Sequence, residues 1–307
     1  MTKDQIIQKL HEYGVISCHV ANSDGLVPLR GGRVAEHVYR FDTPGGCPLA
    51  VKVVRPNEAL ILRVLAHLRS RLVPSICCPE LIGEGLLIWH YLDPAAVGPL
   101  HPDLAKAYAQ FHNATDDGKV FAELGLPAKL EKSGQEFYID ALHRCFGAAM
   151  VNLAKLQGYA WPVLDTVRQT MAKVGEREDE LAERFGNTPF AWIHNDFREE
   201  NLVGNPPKLI DWGSSYGYGP YLCDIAPYLV ESDEAMRAFA GESAIYQSRS
   251  QNERQGDLLA CTAAALTGYL HWHLGDMLKD GDMERVRSAL DRRRKQYQWL
   301  HTMLATG

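Results

Sequence analysis

At 307 residues and 46% apolar content, the chain exceeds the roughly 250–300 residues that a single core sustains, so two lobes are expected. A formal net charge of −6 and a pI near 6.1 give no electrostatic case for nucleic acid or an anionic membrane as partner, and suit a cationic small molecule instead. Seven cysteines, an odd number without C-x-x-C spacing, form neither a disulfide framework nor a zinc site and imply a reducing compartment.

The start, Met1 to Leu10, is charged and amphipathic rather than patterned as a signal peptide. Leu49-Ala50-Val51-Lys52-Val53 reads as a strand. After Pro56-Asn57, the apolar residues Leu60, Ile61, Val64, Leu65 and Leu68 recur at helical spacing. The adjacent Cys77-Cys78 falls in a loop ending at Pro79, and Leu86 to Leu92 reads as a buried strand leading to Asp93-Pro94. A helix is expected over Leu104 to His112, then a charged, amphipathic helical region over Lys129 to Arg184, with Glu176 to Glu180 as a solvated face.

Ala191-Trp192-Ile193 and Asn201-Leu202-Val203 read as short strands, Gly204-Asn205-Pro206-Pro207 as a turn, and Lys208-Leu209-Ile210 as the returning strand. The tail from Glu231 is helical, with Trp272 expected in the core and Arg292-Arg293-Arg294-Lys295 on the surface. His271 and His273, two apart on a helix, diverge and make poor co-ligands. The longest apolar stretch, near Leu258 to Leu270, is shorter than the ~18–20 residues that span a bilayer, so a soluble, cytoplasmic protein is expected.

The chemistry is concentrated in His194-Asn195-Asp196-Phe197-Arg198-Glu199-Glu200-Asn201 and Leu209-Ile210-Asp211-Trp212-Gly213. Mg²⁺ takes hard oxygen donors and keeps several waters, so one carboxylate and one amide oxygen suffice to hold it on a nucleoside triphosphate; Asp211 and Asn201 supply that pair. Asp196, five positions before Asn201, is placed to face an acceptor hydroxyl as catalytic base. The hairpin brings Asp211 back beside Asn201.

H-x-D-x-x-x-x-N followed by I-D-W resembles the aminoglycoside phosphotransferase and choline/ethanolamine kinase superfamily, small-molecule relatives of the protein kinases. The likeness extends from Leu29 to Ala226. It implies an α+β, bilobal protein-kinase-like fold: residues 1–90 as a nucleotide-binding lobe built on a small antiparallel sheet, and 91–307 as a mainly helical lobe with an inserted helical region shaping the acceptor pocket.

The resemblance also implies roles. Leu29 through Arg40 is similar to the hairpin over the phosphates, with Gly31-Gly32 there or simply at a turn that needs glycine. Lys52 is similar to the phosphate-binding lysine, and Glu58 to its glutamate partner, although an acid in a first helical turn already suits the helix dipole. Trp89, His90 and Tyr91 fall at the hinge where adenine would lie, or pack as core, and His90 leaves ATP against GTP open. Gly219 to Ala226 is similar to a segment whose aspartate, here Asp224, supports the catalytic loop. Asn195, where many relatives have glycine, is similar to the choline and ethanolamine kinase form. Arg198 stands where protein kinases carry a lysine reaching the transferred phosphate, or pairs with Glu199 or Glu200. Glu231, Asp233 and Glu234 either hold substrate amines or simply start a helix.

The expected activity is Mg²⁺-dependent transfer of the γ-phosphate of ATP or GTP to a hydroxyl of a small molecule. An antibiotic is the first choice of acceptor, and choline, ethanolamine, a sugar or an amino acid the second. A non-catalytic nucleotide-binding relative is the competing class, set against by the retention of Lys52, Asp196, Asn201 and Asp211.

Overall fold

The structure, a computed structural model, describes residues 1–16, 25–29, 38–43, 48–53, 64–65, 67, 80–82, 85–93, 100–115, 122–124, 135–205, 207–211 and 217–306. Gly31, Gly32, Glu58, Cys77, Cys78, Trp212, Gly213 and most of the expected helix over 60–68 lie outside the described residues. The chain divides into two compact units: Met1–Gly98 with Asp117–Ala128 and Asp196–Tyr216, and Pro99–Asp116 with Lys129–Asn195 and Gly217–Gly307.

The first unit opens with helix α1 (Lys3–Glu12), started by a capping box in which Thr2 and Gln5 satisfy each other's backbone N–H groups. Strands β1 (Leu26–Pro28), β2 (Val38–Phe41), β3 (Leu49–Val53), β4 (Glu80–Ile82) and β5 (Leu86–His90) form an antiparallel sheet in the order β1-β2-β3-β5-β4. Register decides which side chains share a face, because alternate residues point oppositely. Tyr39, Phe41, Val51, Leu86 and Ile88 face Ile6, Ile7 and Leu10 of α1 in one buried cluster. Covering this side with three large aliphatic residues stabilises the unit by ~1.5–3 kcal/mol for each. The opposite face carries Val38 and Lys52 in one row and Arg40 and Ala50 in the next. Lys52 therefore projects from the face that α1 leaves open.

The first unit also contains the hairpin of β7 (Leu202–Val203) and β8 (Lys208–Leu209), registered Leu202 to Leu209 and Val203 to Lys208. Gly204, in its turn at φ 80°, donates its N–H to Asp93 C=O at 2.8 Å, so the hairpin hangs from the segment after β5.

The second unit is mainly helical. Its helices are α2 (Pro102–Thr115), α3 (Gln135–Ala154), α4 (Pro162–Glu176), α5 (Glu178–Asn187), α6 (Ala226–Leu229), α7 (Asp233–Glu242), α8 (Ala244–Ser248), α9 (Gln251–Asp280), α10 (Met283–Arg292) and α11 (Arg294–Thr306). Strands β6 (Phe190–Ile193) and β9 (Gly217–Pro220) pair antiparallel. The long helix α9 begins at a Ser250/Glu253 capping box and ends at Gly281, φ 74°, where glycine takes a left-handed turn without penalty. It packs on α3 and α5, while α2 packs on α7. No helix among the described residues is long and apolar enough to cross a membrane.

Two expectations fail here. Trp272 is 49% exposed rather than core, because α9 turns that side outward; His271 lies 3.9 Å from its ring, and His273 instead meets Tyr269 at 5.4 Å. Arg293 is only 5% exposed, not a surface residue. Its guanidinium lies 3.8 Å from the Tyr269 ring centroid and donates to the Tyr228 hydroxyl at 3.4 Å, so flat cation–π contact solvates it. A run of four basic residues looks solvated until one position falls at the junction between two helices.

His112 on α2 is fully buried against the rings of Tyr108 at 4.7 Å, Phe239 at 6.2 Å and Tyr221 at 6.5 Å. Neither ring nitrogen meets a hydrogen-bonding partner among the described residues, and burial pushes its pKa down from 6.5 to about 3. Below pH 6.5 the unfolded chain takes up a proton that native His112 refuses, so its contribution to stability falls by ~1.4 kcal/mol for each pH unit until about pH 3. Denaturant titrations at pH 7, 6 and 5 should show His112→Leu gaining on the wild type at that rate; parallel curves would rule this cause out.

Candidate active site

Lys52, Asp196, Arg198, Asn201 and Asp211 all belong to the first unit. Lys52 Nζ lies 2.5 Å from Asp211 Oδ1, an ion pair between β3 and the residue just after the β7–β8 hairpin. The two side chains are 14% and 31% exposed, so water screens the pair only in part. The hairpin does bring Asp211 back beside Asn201: Ile210 N–H bonds to Asn201 C=O at 2.9 Å, directly after the last paired residue.

A 3₁₀ turn over Glu199–Asn201 folds the loop onto itself, and Asn201 is buried. Its Nδ2 donates to Asp196 C=O at 2.7 Å and to Asp196 Oδ2 at 3.1 Å. Two acceptors are met by the amide NH₂, so the amide oxygen points the opposite way, where a hard cation can use it. With the Asp211 carboxylate, this donor set fits Mg²⁺ by ligand chemistry.

Arg198 pairs with Asp196, Nη2 to Oδ2 at 3.2 Å. Asp196 has its pKa raised chiefly by burial; Arg198 and the Asn201 hydrogen bond pull it down, while Asp211 and Glu200 push it up. A raised carboxylate is the better proton acceptor.

The strand before the loop ends in the second unit. His194 is fully buried there, and Asp224 accepts the N–H groups of His194 at 2.7 Å and Asn195 at 2.8 Å as well as the Tyr108 hydroxyl. Burial and the Asp224 charge hold that phenol well above its ordinary range, so it remains a donor. Asp224 is thus a support for the loop, and Asp196 follows directly.

Asn195 and Asp211 have φ of 62° and 63°, and are the non-glycine residues in the left-handed region among those described. Asn and Asp tolerate that region because their short polar side chains bond locally; other side chains crowd the backbone. Glycine and asparagine at position 195 therefore satisfy the same backbone requirement.

At the expected hinge, Tyr91 N–H is committed to Pro48 C=O at 2.9 Å. Antiparallel ladders alternate, so His90 directs its own N–H and C=O to the other edge of β5. Tyr91 presents its ring to Arg40 at 4.8 Å. In the second unit, Glu231 precedes α7, whose first turn carries the exposed Asp233 and Glu234 after the cap Ser232; they serve at least as helix-start acids.

Residues 25–259 match the model of the Phosphotransferase enzyme family. The chain belongs to that family. It is accordingly a small-molecule O-phosphotransferase. A macrolide 2′-phosphotransferase from Brachybacterium faecium is similar in structure over 94% of this chain and 97% of its own, with a TM-score of 0.54 and 16% identity. A choline/ethanolamine kinase family protein from Mesorhizobium loti is similar over 100% of both chains, with a TM-score of 0.50 and 18% identity. At such identities the likeness carries the fold, which is α+β and protein-kinase-like. No curated protein sequence matches the chain.

Asn195→Gly should keep stability and activity near wild type, whereas Asn195→Val should lose ~1–2 kcal/mol or more through the left-handed backbone; equal thermal midpoints for both variants would refute the backbone explanation. Asp224→Ala removes the acceptor of the buried Tyr108 hydroxyl and of the Asn195 N–H, and leaves His194 N–H only the Tyr108 hydroxyl, so it should cost about 2–4 kcal/mol in urea unfolding. A loss under about 1 kcal/mol would mean that water replaces the carboxylate.

Proposed function

We infer that the protein transfers the γ-phosphate of a nucleoside triphosphate to a hydroxyl of a small acceptor, with Asp196 as proton acceptor. One observation carries this reading: in one unit, Asp196 contacts Asn201 and Lys52 contacts Asp211, and the Ile210 N–H to Asn201 C=O bond joins the two pairs. Lys52 would hold phosphate oxygens, leaving Asp211 to Mg²⁺ together with the Asn201 amide oxygen. Bound there, Mg²⁺ would neutralise charge on the triphosphate.

In the transfer, the acceptor oxygen forms a bond to the γ-phosphorus as the bond from that phosphorus to the β–γ bridging oxygen breaks. The nucleoside diphosphate leaves with the electron pair, and the hydroxyl proton passes to the Asp196 carboxylate. The base would meet the outward backbone groups of His90 beside Trp89, because Tyr91 N–H is already committed.

For the acceptor, a hydroxyl-bearing antibiotic is the first reading, supported by the acidic net charge of −6 and by the fold shared with the macrolide phosphotransferase. A choline- or ethanolamine-like acceptor is the second, supported by the full-length fold likeness to the choline/ethanolamine kinase family protein.

Acceptor-dependent ADP or GDP release with Mg²⁺, across aminoglycosides, macrolides, choline, ethanolamine and sugars, tests both readings. One class should stimulate turnover, and Asp196→Asn should lower kcat by about 10²–10⁴ with the nucleotide KM little changed. Undiminished turnover in Asp196→Asn would remove the proton-acceptor role.

A further inference from the structure

From sequence, Arg198 could reach the transferred phosphate or pair with Glu199 or Glu200; the structure shows an ion pair with Asp196. Residue 198 is extended, at φ −155° and ψ 165°, directly before the 3₁₀ turn. The following 3₁₀ turn then closes, Asn201 N–H bonding to Arg198 C=O at 3.0 Å, and sets the Asn201 amide against the same carboxylate.

Asn201 Nδ2 at 3.1 Å and Arg198 Nη2 at 3.2 Å thus converge on one oxygen, Asp196 Oδ2. A carboxylate turns freely about its last torsion, and one hydrogen bond leaves it able to pivot. The Arg198 guanidinium, paired with the same oxygen, restrains that pivot by charge attraction. Arg198 and Asp196 are 21% and 18% exposed, sheltered enough for the pair to persist against salt. Glu200 and Asp211 stand close enough to repel the Asp196 charge, so a nearby cation also keeps this carboxylate from being pushed out of place.

We propose that Arg198 is a positioning residue that anchors the Asp196 carboxylate through Oδ2, and that it is not a ligand of the transferred phosphate. This rests on Asp196 being the proton acceptor. The bonds made and broken are those of the transfer described above; Arg198 exchanges no proton and holds Oδ2 throughout.

The test measures kcat and the KM for nucleotide and for acceptor in Arg198→Ala, Arg198→Lys and Asp196→Asn, with circular dichroism to confirm folding. In Arg198→Ala, kcat should fall about 10²-fold, the cost of a misplaced reacting group, with the nucleotide KM within about twofold of wild type. Added guanidinium should restore part of that kcat in Arg198→Ala and none in Asp196→Asn. Arg198→Lys, which keeps the charge but not the planar fork, should fall between, and it carries the test if the alanine variant does not fold.

A nucleotide KM raised tenfold or more with kcat intact would assign Arg198 to the phosphate and overturn the proposal. Full activity in both Arg198 variants would also overturn it. If Asp196→Asn turns over normally, the proton-acceptor reading itself has failed, an outcome distinct from loss of kcat in Asp196→Asn alone.

Discussion

The ion pair between Lys52 and Asp211 ties together segments 159 residues apart and sets the geometry of the first unit. Lys52 stands on the sheet face that α1 leaves open, because strand register fixes that side, and Asp211 ends a hairpin whose turn hangs from Asp93. Two partly sheltered charges stay together because either left alone would lose solvation without compensation. On the proposed reading, a triphosphate would bring anionic charge to Lys52 and its metal ion cationic charge to Asp211, so substrate binding would have to exchange this ion pair.

Around that pair the loop is held from both ends by different means. Its start is fixed by a buried carboxylate, Asp224, receiving consecutive backbone N–H groups of His194 and Asn195, an arrangement that needs the left-handed turn at Asn195. Its end is fixed by the Ile210 to Asn201 bond and the second left-handed residue, Asp211. Backbone conformations costing of order 1–3 kcal/mol persist where the surroundings over-determine them. Here two such residues flank the stretch that carries Asp196, Arg198 and Asn201, so that the short side chains of the loop meet one another.

Much of this was legible because it is local. The β7–β8 hairpin, the strand Leu49–Val53 and the helical run of the tail follow from spacing, turn residues and apolar period, and the structure places them within a residue or two of expectation. The return of Asp211 beside Asn201 was legible because the turn residues and strand spacing of the hairpin are local. Elsewhere the local rule gave the wrong answer. Arg293 looked exposed within a basic run and is packed on Tyr269; Trp272 looked buried and is not. Each depends on which side of an element meets another, and composition is silent about that.

By itself, the sequence determined the fold class, the chemical identities at the site and the spacing that lets a hairpin return Asp211 to Asn201, because hydrogen-bonded turns and side-chain alternation are properties of short segments. Only the tertiary structure decided that Lys52 pairs with Asp211, that Asp224 holds the loop through two backbone N–H groups, and that His112 stays neutral among aromatic rings. Those contacts join residues from about 30 to about 160 positions apart. Their energies come from burial and from charges brought within a few ångströms, and both exist only once the chain has folded.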